Sequence, residues 1–176
     1  MAIAVYLLYL FIRGVIGGGG ASGQLNTGLK YLNGVGVQKD DAQASAWFGK
    51  AADQGSAPAQ NNLGVLYENG RGVARDDAQA SAWFLKAADQ GHAPAQYNLG
   101  MLYENGRGVA KDDAQATVWY RKAADQGNPR GQTLLGTMYL LGRGVPKDED
   151  LASRWLRKAA DQGFQDAQDV LRQAGK

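Results

Sequence analysis

The chain has no cysteine and only one histidine, His92, among its 176 residues. Without cysteine, a disulfide framework and a thiolate metal site are both excluded. A single histidine leaves too few ligands for a histidine-based metal site, and we expect no metal and no cofactor. The formal net charge is only +2, and no block of five like charges occurs. The composition therefore does not suggest a protein that binds nucleic acid.

The sequence also lacks an apolar run long enough to cross a bilayer as a helix, which needs about 20 residues. The longest run, residues 2–12, is followed by Arg13 and by the glycine run 17–20. Residues 1–20 suit the apolar region of a signal peptide, a degenerate capping element of the structure that follows, or a frameshift artefact. Export to the periplasm is favoured if they are a signal, and a cytoplasmic location otherwise. Membrane contact is expected only if they are retained.

What the chain does contain is a repeat of 36 residues. Residues 93–128 repeat residues 57–92 with eight substitutions, and residues 129–164 and 21–56 carry the same frame more loosely. Recent duplication or repeat engineering would equally explain such identity. A fixed period of this length predicts an array of stacked supersecondary units, ending here in a capping helix at residues 165–176.

Within residues 57–92, the apolar spacing predicts two antiparallel helices. Helix A, about 58–69, begins at a proline and ends at Asn69-Gly70. Helix B, about 76–89, opens with Asp76 and Asp77, whose carboxylates can cap free N–H groups. The fold class is therefore predicted to be all-α.

Two residue types recur where propensity alone would not place them. A glycine stands inside every helix A, as in Gly64, although glycine costs about 1 kcal/mol there relative to alanine. A tryptophan stands in every helix B, as in Trp83. We expect the two helices to approach closely at the glycine, with the Trp ring against the bare backbone.

The frame A-x-x-x-L-G-x-x-Y-x-x-G-x-G-V, then D-x-x-x-A-x-x-W-x-x-K-A-A-x-x-G, resembles the Sel1-like repeat family, relatives of the tetratricopeptide repeats. Residues 57–164 carry nearly every frame position three times, with Arg130, Gly131 and Asp150 as departures. The resemblance implies a right-handed α-solenoid that serves as a bacterial protein-interaction scaffold. It also implies that helix A lines a concave binding surface.

The expected function is a non-catalytic scaffold for a protein or peptide partner. A cysteine-rich branch of the family has been linked to β-lactam binding or hydrolysis, which leaves a β-lactam or cell-wall hydrolase as the alternative. The absence of cysteine puts that branch in doubt. We therefore expect no catalytic residues.

Comparison of the repeats divides helix A into a constant face and a variable face. The variable positions are spaced i, i+4, i+7 and form one stripe. They are either partner-binding positions or surface positions that have drifted. The predicted binding residues are Asn61, Asn62, Val65, Glu68, Tyr97, Asn98, Met101, Glu104, Thr133, Leu134, Thr137 and Leu140.

Three other groups have structural explanations. The paired aspartates at the start of each helix B are expected to be caps rather than catalytic pairs. Arg71, Arg107 and Arg143 are expected to be solvated edge residues, with an anionic groove as the alternative. His92, at a variable junction between repeats, is expected to lie on the surface.

Overall fold

The computed structural model describes residues 19–175, and residues 1–18, which include nearly all of the N-terminal segment discussed above, lie outside that range. The described part is all-helical. Its helices are α1 (Ala21–Asn33), α2 (Asp41–Asp53), α3 (Ala57–Asn69), α4 (Asp77–Asp89), α5 (Ala93–Asn105), α6 (Asp113–Asp125), α7 (Pro129–Leu141), α8 (Glu149–Asp161) and α9 (Gln165–Gln173). None of these helices is long and apolar enough to cross a bilayer.

The helices alternate as the repeat predicts. The A helices are α1, α3, α5 and α7, the B helices are α2, α4, α6 and α8, and α9 begins a further A helix. The chain forms two compact units, which meet in sequence between Trp83 and Phe84, inside α4.

Local chemistry sets the ends of the helices where the sequence predicts them. The Asp40 carboxylate accepts hydrogen bonds from the backbone N–H groups of Ala42 and Gln43, both at 2.9 Å. Asp112 caps α6 and Asp148 caps α8 in the same way. At the other end, each A helix stops at a left-handed glycine, such as Gly70 with φ 63°. The capping hypothesis is confirmed for the first aspartate of each pair.

The core of each unit is formed mainly by alanines of the B helices against larger side chains. In the first unit, Ala44, Ala51 and Phe48 of α2 are buried with Leu63 and Leu66 of α3. In the second unit, Tyr120 of α6 is buried with Leu135 and Met138 of α7, among others. Small alanines let the helix axes approach, and the larger residues fill the space between them.

The helix-A glycine does mark a close approach, but the tryptophan is not the residue that meets it. A Cβ added to Gly28 would lie 2.5 Å from the ring of Phe48, and one added to Gly100 would lie 2.6 Å from the ring of Tyr120. At Gly136 the neighbour is Leu156, at 2.8 Å. The prediction was therefore wrong by one residue along helix B.

The tryptophans lie beside that contact. Trp47 is half-buried, and the ammonium of Lys50, one turn later, lies 4.1 Å from the centre of its ring. Trp119 is 7% exposed, and Lys122 covers it at 3.7 Å. Each ring is covered by the aliphatic chain and the charge of its own helix.

The turn between the two helices rests on the preceding repeat. Gly72 has φ 69°, and a Cβ added there would lie 2.1 Å from the carbonyl oxygen of Asp41, the first residue of α2. In the second unit, Gly144 meets Asp113 in the same way, also at 2.1 Å. Glycine is therefore required twice over at this position, by the backbone conformation and by the neighbouring repeat.

We expect Gly72→Ala to lower the free energy of unfolding by about 2–4 kcal/mol, the sum of a left-handed alanine and an overpacked contact. Gly55→Ala is the matched control, since Gly55 has φ 86° and no described atom lies within 4 Å of its added Cβ. The control should cost only about 1 kcal/mol. Urea unfolding of both variants measures the difference, and equal losses would contradict the contact.

Candidate functional site

The variable positions of the A helices lie on α3 in the first unit and on α5 and α7 in the second. None of the twelve predicted residues is exposed. Asn61 and Thr133 are buried, at 9% and 4% exposure. The remaining ten are half-buried: Asn62, Val65, Glu68, Tyr97, Asn98, Met101, Glu104, Leu134, Thr137 and Leu140.

Two of the predicted residues are therefore less accessible than the stripe suggests. The hydroxyl of Thr133 donates to the carbonyl of Pro129 at 2.8 Å, within its own helix. Asn61 occupies the corresponding position of α3 and is almost as deeply buried. In these two repeats the variable position is therefore not an open surface, whereas Tyr97, at the same position of α5, is half-buried.

Glu104 belongs to an internal network rather than to a free surface. Its carboxylate accepts a hydrogen bond from the phenol of Tyr120 at 2.6 Å and another from Nη1 of Arg143 at 2.9 Å. Burial, and after it the bond to Glu104, raise the pKa of the Tyr120 phenol, so it stays protonated and donates. Binding to a partner through the Glu104 carboxylate would have to break these bonds.

Arg143 extends this network to the preceding repeat. Its guanidinium donates from Nε and Nη2 to the carboxylate of Asp113, at 3.2 and 3.0 Å. In the first unit, Arg71 forms the same bidentate pair with Asp41 at 2.9 and 2.8 Å. We call these two pairs the repeat clasps. The expectation that Arg71 and Arg143 are solvated edge residues was wrong, because each has a partner carboxylate 30 positions earlier in the chain.

The second unit contains a cavity of about 270 Å³ on the side of the A helices. Three of the predicted binding residues line it, namely Tyr97 of α5 with Thr133 and Leu134 of α7. Small-molecule sites usually measure roughly 300–1,000 Å³, so this cavity suits a single inserted side chain better than a cofactor.

Three further residues line the cavity, and the sequence comparison did not select them. Arg130 lies in the first turn of α7, and Phe164 and Asp166 lie at the start of α9. The signal was present in the departures from the repeat frame. Arg130 replaces a proline, and Phe164 replaces the polar residues at the other junctions between repeats.

The cavity combines an apolar wall with charge of both signs at its rim. Tyr97 and Leu134 pack partly against the core of α6 and α7, and Phe164 packs partly against the core near α9. Each of these side chains therefore has one side against the core and another side on the cavity. The contact with the core holds it in place before any ligand arrives. The Arg130 guanidinium lies 5.9 Å from the centre of the Tyr97 ring, and both Arg130 and Asp166 are exposed.

Other chemistry is not assembled in the described part of the chain. Within residues 19–175, no group of three or more histidine, aspartate or glutamate side chains could hold a metal ion. His92 is half-buried rather than on the surface as expected. It precedes α5 directly, and burial lowers the pKa of its imidazole.

The Sel1 repeat family profile matches residues 21–56, 57–92, 93–128 and 129–164, which together make up most of the chain. No match was found among the curated proteins. Solved structures are similar. The protective antigen c5321 of uropathogenic Escherichia coli, which displays an SLR fold, is 44% identical with a TM-score of 0.82, over 86% of this chain and 32% of that one.

Two further structures are also similar. A Sel1 repeat protein from Oxalobacter formigenes is 39% identical with a TM-score of 0.79, over 86% of this chain and 62% of that one. Helicobacter pylori cysteine rich protein B is 28% identical with a TM-score of 0.60, over 79% of this chain and 100% of that one. The chain thus spans about a third of the length of the c5321 antigen and less than two thirds of the length of the Oxalobacter formigenes protein.

The repeat clasps should make stability depend on pH in the acid range. The hydrogen bonds from Arg143, together with its charge, hold the pKa of the Asp113 carboxyl below its usual range. Because the folded pKa lies below the unfolded one, the contribution is present above about pH 4 and is lost as the pH falls through the folded value.

We therefore expect Asp113→Asn to lower the melting temperature at pH 7 and to have little effect near pH 3, where the natural carboxylate is itself becoming protonated. Asp125→Asn, at the exposed end of the same helix, is the control and should not reduce stability at either pH. Thermal unfolding followed by circular dichroism measures both. A loss from Asp113→Asn that is the same at pH 3 and pH 7 would contradict the clasp.

Proposed function

The chain belongs to the Sel1 repeat family, whose members generally mediate protein–protein interactions, and we propose that it binds an extended peptide segment of a partner protein along its A helices. The family is generally a non-catalytic scaffold. The observation that supports this proposal most directly is the cavity between Tyr97, Leu134 and Phe164, because it lies among A helices and is already formed.

In this proposal, one apolar side chain of the partner enters the cavity in the second unit. The half-buried walls of the cavity offer this side chain an apolar surface to pack against. The same walls shield the core from solvent when the cavity is empty. Arg130 and Asp166 at the rim offer one charge of each sign, which suits the backbone and flanking residues of a peptide. Met101, Thr137 and Leu140 extend the same face along α5 and α7. A thioether and aliphatic side chains adapt to different partner segments.

The first unit would contribute through α3, with Asn62, Val65 and Glu68 half-buried on the equivalent face. These side chains are more polar than those of α7. Asn61, Thr133 and Glu104 are then structural residues of the face, for the reasons given above.

Selection of peptides from a random display library on the full chain tests the proposal. The selected peptides should share a large apolar residue, because the cavity accepts one such side chain. Peptides with no common apolar position, or a library that yields no binder, would contradict it.

Phe164→Asn should weaken the binding of a selected peptide by about tenfold or more, as expected for the loss of an anchor contact. The change is matched to the repeat, because Asn128 holds the same position and caps α7. Val118→Ala is the control, since Val118 is exposed on α6 and its counterpart in the previous repeat is Ala82. Isothermal titration calorimetry measures both variants, and equal affinities would contradict the site.

The alternative raised by the sequence, a β-lactam or cell-wall hydrolase, gains no support from residues 19–175. A nitrocefin assay on the purified chain distinguishes the two functions. Sustained turnover would favour the hydrolase, whereas peptide binding without turnover would favour the scaffold.

A further inference from the structure

Another cavity of the second unit lies along a B helix. It measures about 350 Å³ and is formed between α6 and the turn that follows α7. Ala114 and Val118 line it from α6, and Gly144 and Val145 line it from the turn. Val118 is 47% exposed. We call this cavity the turn groove. It shares no lining residue with the cavity among the A helices, so the two can be tested separately.

The repeat clasp holds the two walls of the turn groove together. Thr117, which also lines the groove, donates its hydroxyl to the carbonyl of Asp113 at 2.9 Å, and the same oxygen lies 3.4 Å from the carbonyl of Arg143. Arg143 pairs with the Asp113 carboxylate, and the backbone of Gly144 lies against the Asp113 carbonyl. Because α6 and the turn are joined at these points, the groove has its shape before any ligand arrives.

Two cations line the turn groove, and aromatic rings hold both of them. The Arg121 guanidinium donates from Nη2 to the phenol oxygen of Tyr139 and lies 5.5 Å from the centre of that ring. The Lys122 ammonium lies 3.7 Å from the centre of the Trp119 ring. Within residues 19–175, no carboxylate forms an ion pair with either cation. A ring positions a cation without neutralising it, so both charges remain available to a ligand.

The valine and the arginine of the turn groove are departures from the repeat. In α2 the same two positions hold Ala46 and Gly49. The apolar contact and the added charge therefore occur together in one groove. The charge continues on the next B helix, because α8 carries exposed arginines at both positions, Arg154 and Arg157.

We propose that the turn groove binds an acidic segment of a partner protein. An aliphatic side chain of that segment packs against Val118 and Val145, and a neighbouring carboxylate pairs with Arg121 or Lys122. The groove has two cations and one carboxylate, Asp125, so a basic segment is disfavoured. A small molecule fits less well, because such sites bury about 70–90% of their ligand and the α6 side of this groove is largely exposed.

The order of residues along α6 sets the pattern of the ligand. Val118 precedes the two cations by one helical turn, and Asp125 follows them by one turn. The acidic residue of the segment should therefore stand next to its aliphatic residue, on the side away from Asp125.

Two peptide display libraries on the full chain are the first test. One contains only Leu, Glu and Ser, and the other only Leu, Lys and Ser. The glutamate library should yield binders in which Leu and Glu are neighbours. The affinity of a selected peptide should fall at least about threefold between about 0.05 and about 0.5 M salt, because exposed charges are screened. A glutamate library without binders, or equal enrichment from the lysine library, would overturn the proposal.

Arg121→Leu is the second test, and it is matched to Leu85, which holds this position in α4. It removes the charge while keeping a long side chain beside Tyr139. Isothermal titration calorimetry with a selected peptide should show about a tenfold loss, whereas Arg121→Lys should lose less. Lys39→Gln, at an exposed lysine of the first unit, is the control and should bind as the natural chain does. Undiminished binding by Arg121→Leu would overturn the proposal, and so would equal losses from the two arginine variants.

The third test copies the groove into the first unit and does not depend on a loss. Val73 and Tyr67 already hold the positions of Val145 and Tyr139 there. Ala46→Val combined with Gly49→Arg should therefore make the chain bind a second equivalent of the same peptide. An unchanged stoichiometry in the calorimeter would overturn the proposal.

Two other occupants are distinguished by the same proteins. Binding to phosphatidylserine vesicles without binding to any acidic peptide would assign the groove to a membrane surface. A dimer in sedimentation analysis that Arg121→Leu dissociates, again without peptide binding, would assign it to a second copy of the chain. Either result would overturn the proposal.

Discussion

The contact between each turn and the repeat before it is the constraint on which the arrangement depends. At the two junctions within a unit, the turn glycine lies against the first carbonyl of the preceding B helix, Asp41 or Asp113. The adjacent arginine holds the carboxylate of that same residue. One aspartate thus begins a helix, accepts the clasp and supports the next turn. A single repeat cannot bury both faces of its helices, so this contact sets where the next repeat buries the remaining face.

The same contact relates the structural residues to the proposed binding residues. In the second unit, Arg143 reaches both Asp113 on the preceding B helix and Glu104 on the preceding A helix. Glu104 in turn bonds Tyr120, the residue whose ring lies against Gly100. These bonds join the turn that follows α7 to α5 and α6. The cavity between Tyr97, Leu134 and Phe164 lies in the same unit, and its walls pack partly against the core, which would lower the entropic cost of accepting a peptide side chain.

The departures from the repeat carry more information than the repeat itself. Positions that follow the frame stack the helices, as in Ala44 and Ala116. Positions that leave the frame mark places where the surroundings differ. Phe164 leaves it and lines the cavity. Val35 leaves it at the position of the clasp arginine, and its side chain is exposed.

The sequence alone determined the period, the family, the all-α class and, in residues 57–92, the bounds of both helices to within one residue, because caps, glycines and apolar spacing act over a few neighbouring positions. The final helix ends at Gln173, three residues before the predicted end. Only the tertiary structure showed that Phe48, rather than Trp47, meets the helix-A glycine, and that Arg143 has a partner 30 positions away. It also showed that Asn61 and Thr133 are buried, and that Arg130 lines the cavity. Those features depend on the crossing angle between helices of different repeats. The sequence of a single repeat does not specify that angle.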